Sequence, residues 1–372
     1  MSSRDFASPA RRRLHPAVGR ARNAVKAALA EAGWPPRVLV GCSGGPDSLA
    51  LAAAVAHFAR RGAVAGHRLE AGAVVVDHGL QEGSGEIART TAATLAELGL
   101  SPVRVVAVEV QQVGEGPEAA ARNARLGALE AEAQSWGAEA VLLGHTLDDQ
   151  AEQVLLGLAR GSGTRSLGGM RSVRGLYLRP FLGLRRAETI DVCFAEGLEP
   201  WFDPTNEDPR FMRSRVRVGV MPFLESELGP GVAEGLARTA AILGQDADYL
   251  DTEALRVYES LAERPAPPAE VGSPAAEVGP RTAEVGPTIL LPGEEVRALP
   301  AALRSRVLAL AVVELGGQPT FERLAAVERL LERRGSAGPI EVPGHVSVRR
   351  QPRRKDAAPG AEYGKLVFVS HR

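Results

Sequence analysis

Cysteine is scarce in this chain. Cys42 and Cys193 are the only two, they lie far apart, and they form no C-x-x-C pair. That excludes a disulfide framework and argues against a zinc site or a three-cysteine iron–sulfur cluster. Net charge is nearly absent as well, at −1, so the whole chain carries no bulk electrostatic signature of a nucleic-acid binder. Uncharged apolar runs long enough to span a bilayer are missing, which leaves no membrane partner. The arginine-rich N-terminus has no apolar core of a secretory signal, and the expectation is a cytoplasmic protein. Lysine is almost missing: three lysines stand against 41 arginines. With the abundant alanine and glycine, that bias reads as the mark of a GC-rich genome rather than of a function.

What is present begins with a loop. Val38-Leu39-Val40-Gly41-Cys42 reads as a buried strand, and Leu49 to Val55 as a helix. Between them stands Ser43-Gly44-Gly45-Pro46-Asp47-Ser48. A glycine turn between a strand and a helix gathers free backbone N–H groups and a helix N-terminus at one point, a geometry that binds phosphate. The glycines remove the Cβ atoms that would block a close approach, and Ser43 and Ser48 add hydroxyl donors. Asp47 adds a carboxylate suited to holding Mg²⁺ beside phosphates. The G-K-[ST] ending of a Walker A loop is absent. The loop resembles the SGGxDS signature of the PP-loop ATP pyrophosphatases, which attack the α-phosphate of ATP and release pyrophosphate.

The length of 372 residues suggests two domains or three. Strands are expected at Arg37–Gly41, Ala71–Val76, Pro102–Val108 and Ala140–Leu143. Helices are expected at His15–Ala32, Leu49–Arg61, Gly85–Leu98, Pro117–Trp136 and Leu147–Ala159. The alternation implies an α/β fold, a Rossmann-like parallel sheet with right-handed crossovers and ligands beyond the carboxyl ends of its strands. Ser43 to Ser48, Asp77-His78-Gly79 and Gly144-His145 all fall there. A catalytic domain over 1–218 is expected, then a smaller, mainly helical domain over 219–372. The latter has helices at 222–227, 232–261, 302–315 and 320–333 and ends in short strands at 340–349 and 365–370. Ala-Glu-Val-Gly recurs at 269, 276 and 283, and 264–288 reads as a low-complexity insertion.

A second cluster, Gly144-His145-Thr146-Leu147-Asp148-Asp149-Gln150, opens a helix straight after a strand. Thr146 reads as an N-cap with acids complementing the helix dipole. Alternatively, His145, Asp148 and Asp149 project into a nucleotide crevice and hold magnesium or orient an amine. Asp149 is able to serve both roles.

The ordered motifs Asp77-His78-Gly79-Leu80, Gly144-His145-x-x-Asp148-Asp149-Gln150, Arg160-Gly161-Ser162-Gly163, Gly168-Gly169-Met170 and Arg179-Pro180-Phe181-Leu182 resemble those of the tRNA(Ile)-lysidine synthase family. So does Trp201-x-Asp203-x-x-Asn206-x-Asp208-x-x-Phe211-x-Arg213-x-x-Val216-Arg217. The resemblance is strong over about residues 36–225. It implies that ATP activates carbon 2 of the wobble cytidine of a CAU-anticodon isoleucine tRNA by adenylation, after which free L-lysine displaces AMP. It further implies that Ser43, Gly44, Gly45, Pro46 and Ser48 hold ATP, with His78 and His145 beside AMP, and that Asp47 with Mg²⁺ steadies the pyrophosphate. Asp148 and Asp149 become candidates to bind the lysine ammonium or take its proton. Arg122 and Arg125 are similar to the family's arginine element and would offset charge on the α-phosphate. Arg213, Arg215 and Arg217 would grip tRNA phosphates. Some family members suggest a homodimer, although no interface is legible here. The alternatives are another PP-loop tRNA-modifying enzyme of the 2-thiolation type, or a nucleotide- and RNA-binding protein without chemistry.

Overall fold

A computed structural model of the chain describes residues 14–77, 79, 83–108, 117–265, 286–332, 337–351 and 364–371. His78 and the repeat segment 266–285 lie outside the described residues. The chain divides into two compact units, Met1–Gly244 and Gln245–Arg372.

The first unit is built on a six-stranded sheet. Its strands are β1 (Arg37–Cys42), β2 (Glu70–Asp77), β3 (Val103–Ala107), β4 (Ala140–Leu143), β5 (Val173–Arg174) and β6 (Tyr177–Leu178). Their order is β3-β2-β1-β4-β6-β5. All neighbours run parallel except the β5–β6 hairpin at the edge. Val38, Leu39 and Val40 are all buried, as a strand covered on both faces requires. Val38 and Val40 pack with helices α1 (Pro16–Glu31), α2 (Pro46–Ala59) and α6 (Arg186–Glu196). Leu39 points the other way, into a cluster with Leu129 and Ala133 of α4 (Pro117–Trp136). In α2 every residue from Ser48 to Ala56 is buried, and its run of alanines lets neighbouring elements approach closely.

The chain runs outward from β1 to β2 to β3 and then returns to the other side of β1 as β4. The strand order therefore reverses between β1 and β4, and the loops leaving those two strands open a crevice at their carboxyl ends. The phosphate-loop candidate follows β1. Gly144 to Thr146 follow β4 and lead into α5 (Leu147–Ala159). These are the positions expected from the sequence.

Several features were not expected. Helix α6 and the β5–β6 hairpin were not anticipated. The first unit runs on past residue 218, with Met221, Leu236 and Ala237 packing against Leu147 and Ala151 of α5. The carboxyl-terminal strands form part of a four-stranded antiparallel sheet, ordered Ala337–Val342, Val346–Arg350, Lys365–Ser370 and Thr288–Pro292. The single strand expected over 340–349 is split by a turn at Pro343–His345, where His345 takes a left-handed φ of 64°.

Candidate active site

The phosphate cradle is shaped by its first serines and glycines. The Ser43 backbone N–H donates to Ser48 Oγ at 3.2 Å, and Ser48 Oγ donates to the Gly45 carbonyl at 3.0 Å. Gly44 holds φ +83°, and a Cβ there would meet Thr91 Oγ1 at 2.5 Å. Gly45 is the N-cap of α2 and Pro46 its first residue, so the first-turn N–H groups that α2 cannot use internally face the loop. From the facing strand, Gly144 comes so close that a Cβ would lie 2.9 Å from the Asp47 carbonyl. The Trp201 N–H donates to the Gly44 carbonyl at 2.9 Å and ties the 198–203 loop to the cradle.

Across the crevice, Asp149 divides its two oxygens between two tasks. Oδ2 accepts from the Thr146 N–H at 2.8 Å and from Thr146 Oγ1 at 3.0 Å, completing a capping box at the start of α5. Oδ1 accepts from Arg186 at 3.0 Å and from Arg217 at 3.2 Å. Burial alone would raise its pKa; Arg186, the Thr146 N–H, His145 and Arg217 outweigh it and hold the carboxyl below its ordinary value. Asp47 shifts the other way. Burial raises its pKa against the opposing pull of Arg186 at 3.2 Å and of Thr189 Oγ1 at 2.5 Å. Asp148 turns from the crevice towards α6: it accepts from the Arg186 backbone N–H at 2.7 Å and pairs with Arg185 at 3.3 Å.

Glu152 is 1% exposed and lies one turn beyond Asp149. It meets Arg217 at 2.7 Å, Arg213 at 3.5 Å and Arg186 at 3.7 Å. Arg213 and Arg217, which share a helical face in the sequence, therefore converge on one carboxylate. Arg215 points elsewhere and donates to the Pro209 carbonyl at 2.7 Å.

His145 stands beside Asp149, and its charged surroundings include Arg125, Arg179 and Arg122. Burial, partly offset by Asp149 and reinforced by the three arginines, pulls its pKa to about 3 from an ordinary 6.5. Its buried Nδ1 has no hydrogen-bond partner, and neither has the buried Nε of Arg125. Buried polar atoms are rarely left so, and these two suit a polar ligand in the crevice. Among the described residues, no group of three or more His, Cys, Asp or Glu is placed to hold a metal. Mg²⁺ bound chiefly through phosphates needs as little as one protein carboxylate, a part that Asp47 could take.

The PP-loop domain family matches residues 20–224, and the TilS substrate binding domain matches residues 291–354. A tRNA(Ile)-lysidine synthase from Leifsonia xyli is 50% identical over 84% of this chain and 87% of its own length. One from Thermobifida fusca is 46% identical over 90% and 95% respectively. The chain belongs to the tRNA(Ile)-lysidine synthase family. Its activity is accordingly that of an ATP-dependent PP-loop ligase of tRNA modification. Among solved structures, the U34-tRNA thiolase NcsA from Methanococcus maripaludis aligns with TM-score 0.50 and 18% identity. The alignment covers 62% of this chain and 80% of that one, a likeness of fold alone.

Within this lysidine-synthase fold, the structure brings Ser43, Gly44, Gly45, Pro46, Asp47 and Ser48 together with His145, Asp149 and Arg125. Sequence reasoning missed three residues of the site: Arg186, Thr189 and Glu152. Glu152 had a signal, since it stands three residues after Asp149 and shares its helical face. Arg186 and Thr189 had none, because α6 itself was not anticipated.

Proposed function

We propose that this enzyme converts the wobble cytidine of CAU-anticodon isoleucine tRNA to lysidine in the cytoplasm, with the residues of the crevice in the following roles. The first turn of α2 and the Ser43–Ser48 loop hold the ATP phosphates. The cytidine O2 attacks the α-phosphorus, and pyrophosphate departs. The lysine ε-ammonium gives a proton to water, the neutral amine attacks carbon 2, and AMP leaves with the O2 oxygen. Asp47 would hold Mg²⁺, whose chemistry is to neutralise charge on the departing pyrophosphate. His145, kept neutral by burial, presents imidazole rather than imidazolium to the nucleotide. Arg122 and Arg125 offset charge at the α-phosphate.

Asp149 and Glu152 hold the lysine ammonium. A carboxyl kept ionised by neighbouring arginines is a firm anchor for a cation and a reluctant proton acceptor, so Asp149 binds the amine rather than deprotonating it. Asp148 fixes the start of α6, and through it the position of Arg186.

One observation carries this reading. The Arg186 guanidinium touches Asp47 of the phosphate loop at 3.2 Å and Asp149 at 3.0 Å. The phosphate site and the amine site thus lie one side chain apart. Asp149→Asn tests the assignment. With ATP, tRNA and lysine present, the variant should build up AMP-bearing tRNA and form little lysidine, read from tRNA mass in a single turnover. Lysidine formation at the unmutated rate would remove Asp149 from the amine site.

A further inference from the structure

Asp47, Asp149 and Glu152 bring three negative charges to the crevice, and Arg186, Arg213 and Arg217 bring three positive ones. Each of these carboxylates is thus paired with an arginine, and Arg125 adds further positive charge beside Asp149 and Arg213. Arg217 fills the place assigned to the lysine ammonium: it bonds both Glu152 oxygens, at 2.7 and 3.0 Å, and Asp149 Oδ1 at 3.2 Å. A lysine ammonium gains little from a carboxylate pair already matched by a two-pronged guanidinium. One arginine has to leave before the amine can bind with net attraction.

Arg186 is poorly placed to leave. It opens α6, its backbone N–H is held by Asp148, and α6 carries Val192 and Cys193 into the main core. Arg217 lies on a π turn, Val216–Val220, in which Val218 and Val220 are exposed. Val216 of the same turn is buried, and π turns are local departures from α geometry that recur at functional sites. The partner able to draw a guanidinium away is a phosphodiester of the bound RNA.

We propose that Arg217 is a plug in the lysine site, withdrawn by tRNA phosphate, so that lysine binds tightly only after tRNA. The inference rests on the reading that Asp149 and Glu152 hold the ammonium. It makes lysine binding conditional on the acceptor, and by linkage lysine tightens tRNA by the same factor.

Equilibrium dialysis of labelled L-lysine without ATP, with and without CAU-anticodon isoleucine tRNA, tests it on the full chain. For the unmutated enzyme tRNA should tighten lysine by roughly tenfold or more, about 1.4 kcal/mol. Arg217→Gln should bind lysine that tightly with no tRNA present, and tRNA should then change it by less than about twofold. Arg217→Lys keeps the plug's charge and should stay weak without tRNA, which separates plugging from a general loosening of the fold. If Arg217→Gln binds lysine no better than the unmutated enzyme while Asp149→Asn abolishes binding, the plug is refuted and the amine site stands. If Asp149→Asn binds lysine normally, the amine site falls and the plug falls with it.

Discussion

Two carboxylates and a histidine show how neighbouring residues set chemistry. Asp47 and Asp149 share Arg186, yet their pKa values move in opposite directions. Asp149 has the backbone N–H of its own helix cap as well as two arginines, and that surplus overcomes burial; Asp47 does not overcome it. His145 gives a prediction at this scale. Its pKa of about 3 in the fold lies below the ordinary 6.5. Between those values the unfolded chain binds a proton that the folded chain does not, so His145 costs stability increasingly as pH falls from 6.5 towards 3. His145→Gln should flatten the decline of the melting temperature over pH 6.5 to 4. A parallel decline in both proteins would mean that His145 titrates normally. The sequence made Asp47, His145 and Asp149 legible because each follows a strand end at a recognisable turn. It did not reveal that Arg213 and Arg217 face carboxylates, since pairing across 65 positions, as for Glu152 and Arg217, leaves no local trace.

At the scale of elements, two strand ends and a helix start are pressed together without side chains between them. Gly144 makes that approach possible: a Cβ would sit 2.9 Å from the Asp47 carbonyl and 3.0 Å from the Ser48 nitrogen. Neither contact can rotate away. Gly144→Ala should cost about 1–3 kcal/mol in denaturant unfolding and raise the KM for ATP at least roughly tenfold by shifting the cradle. Gly127→Ala, where a Cβ meets nothing within 4 Å inside α4, should be neutral or stabilising by about 0.5–1 kcal/mol. Equal effects of the two substitutions would show that Gly144 does not set the strand-to-helix contact. The strands and helices that form the cradle were legible from apolar periodicity. Helix α6 was not, for a physical reason. Its N-cap is Arg185 rather than Ser, Thr, Asp or Asn, with Glu188 and the distant Asp148 satisfying its first N–H groups. Its outward face carries the exposed apolar residues Ile190 and Phe194, which blur the amphipathic pattern.

At the scale of the molecule, each of the two units has its own buried packing. The first unit contains the crevice. The second centres on Phe368, Ile289, Leu291 and Val307 and contains the segment matching the substrate binding domain. Its sheet was only half legible, because Thr288–Pro292 lies next to the low-complexity repeat and far in sequence from Lys365–Ser370, the strand it pairs with. No described helix is long and apolar enough to cross a membrane. The near-zero net charge of the whole conceals a local balance in which arginines and carboxylates face one another across the crevice. In this molecule one crevice activates a tRNA base with ATP and joins free lysine to it. The most direct test is the mass of CAU-anticodon isoleucine transcript after incubation with the enzyme, ATP and lysine. The expected result is a gain of one lysine less one water on the anticodon nucleotide, absent when either small substrate is omitted. A transcript of unchanged mass with both supplied would contradict it.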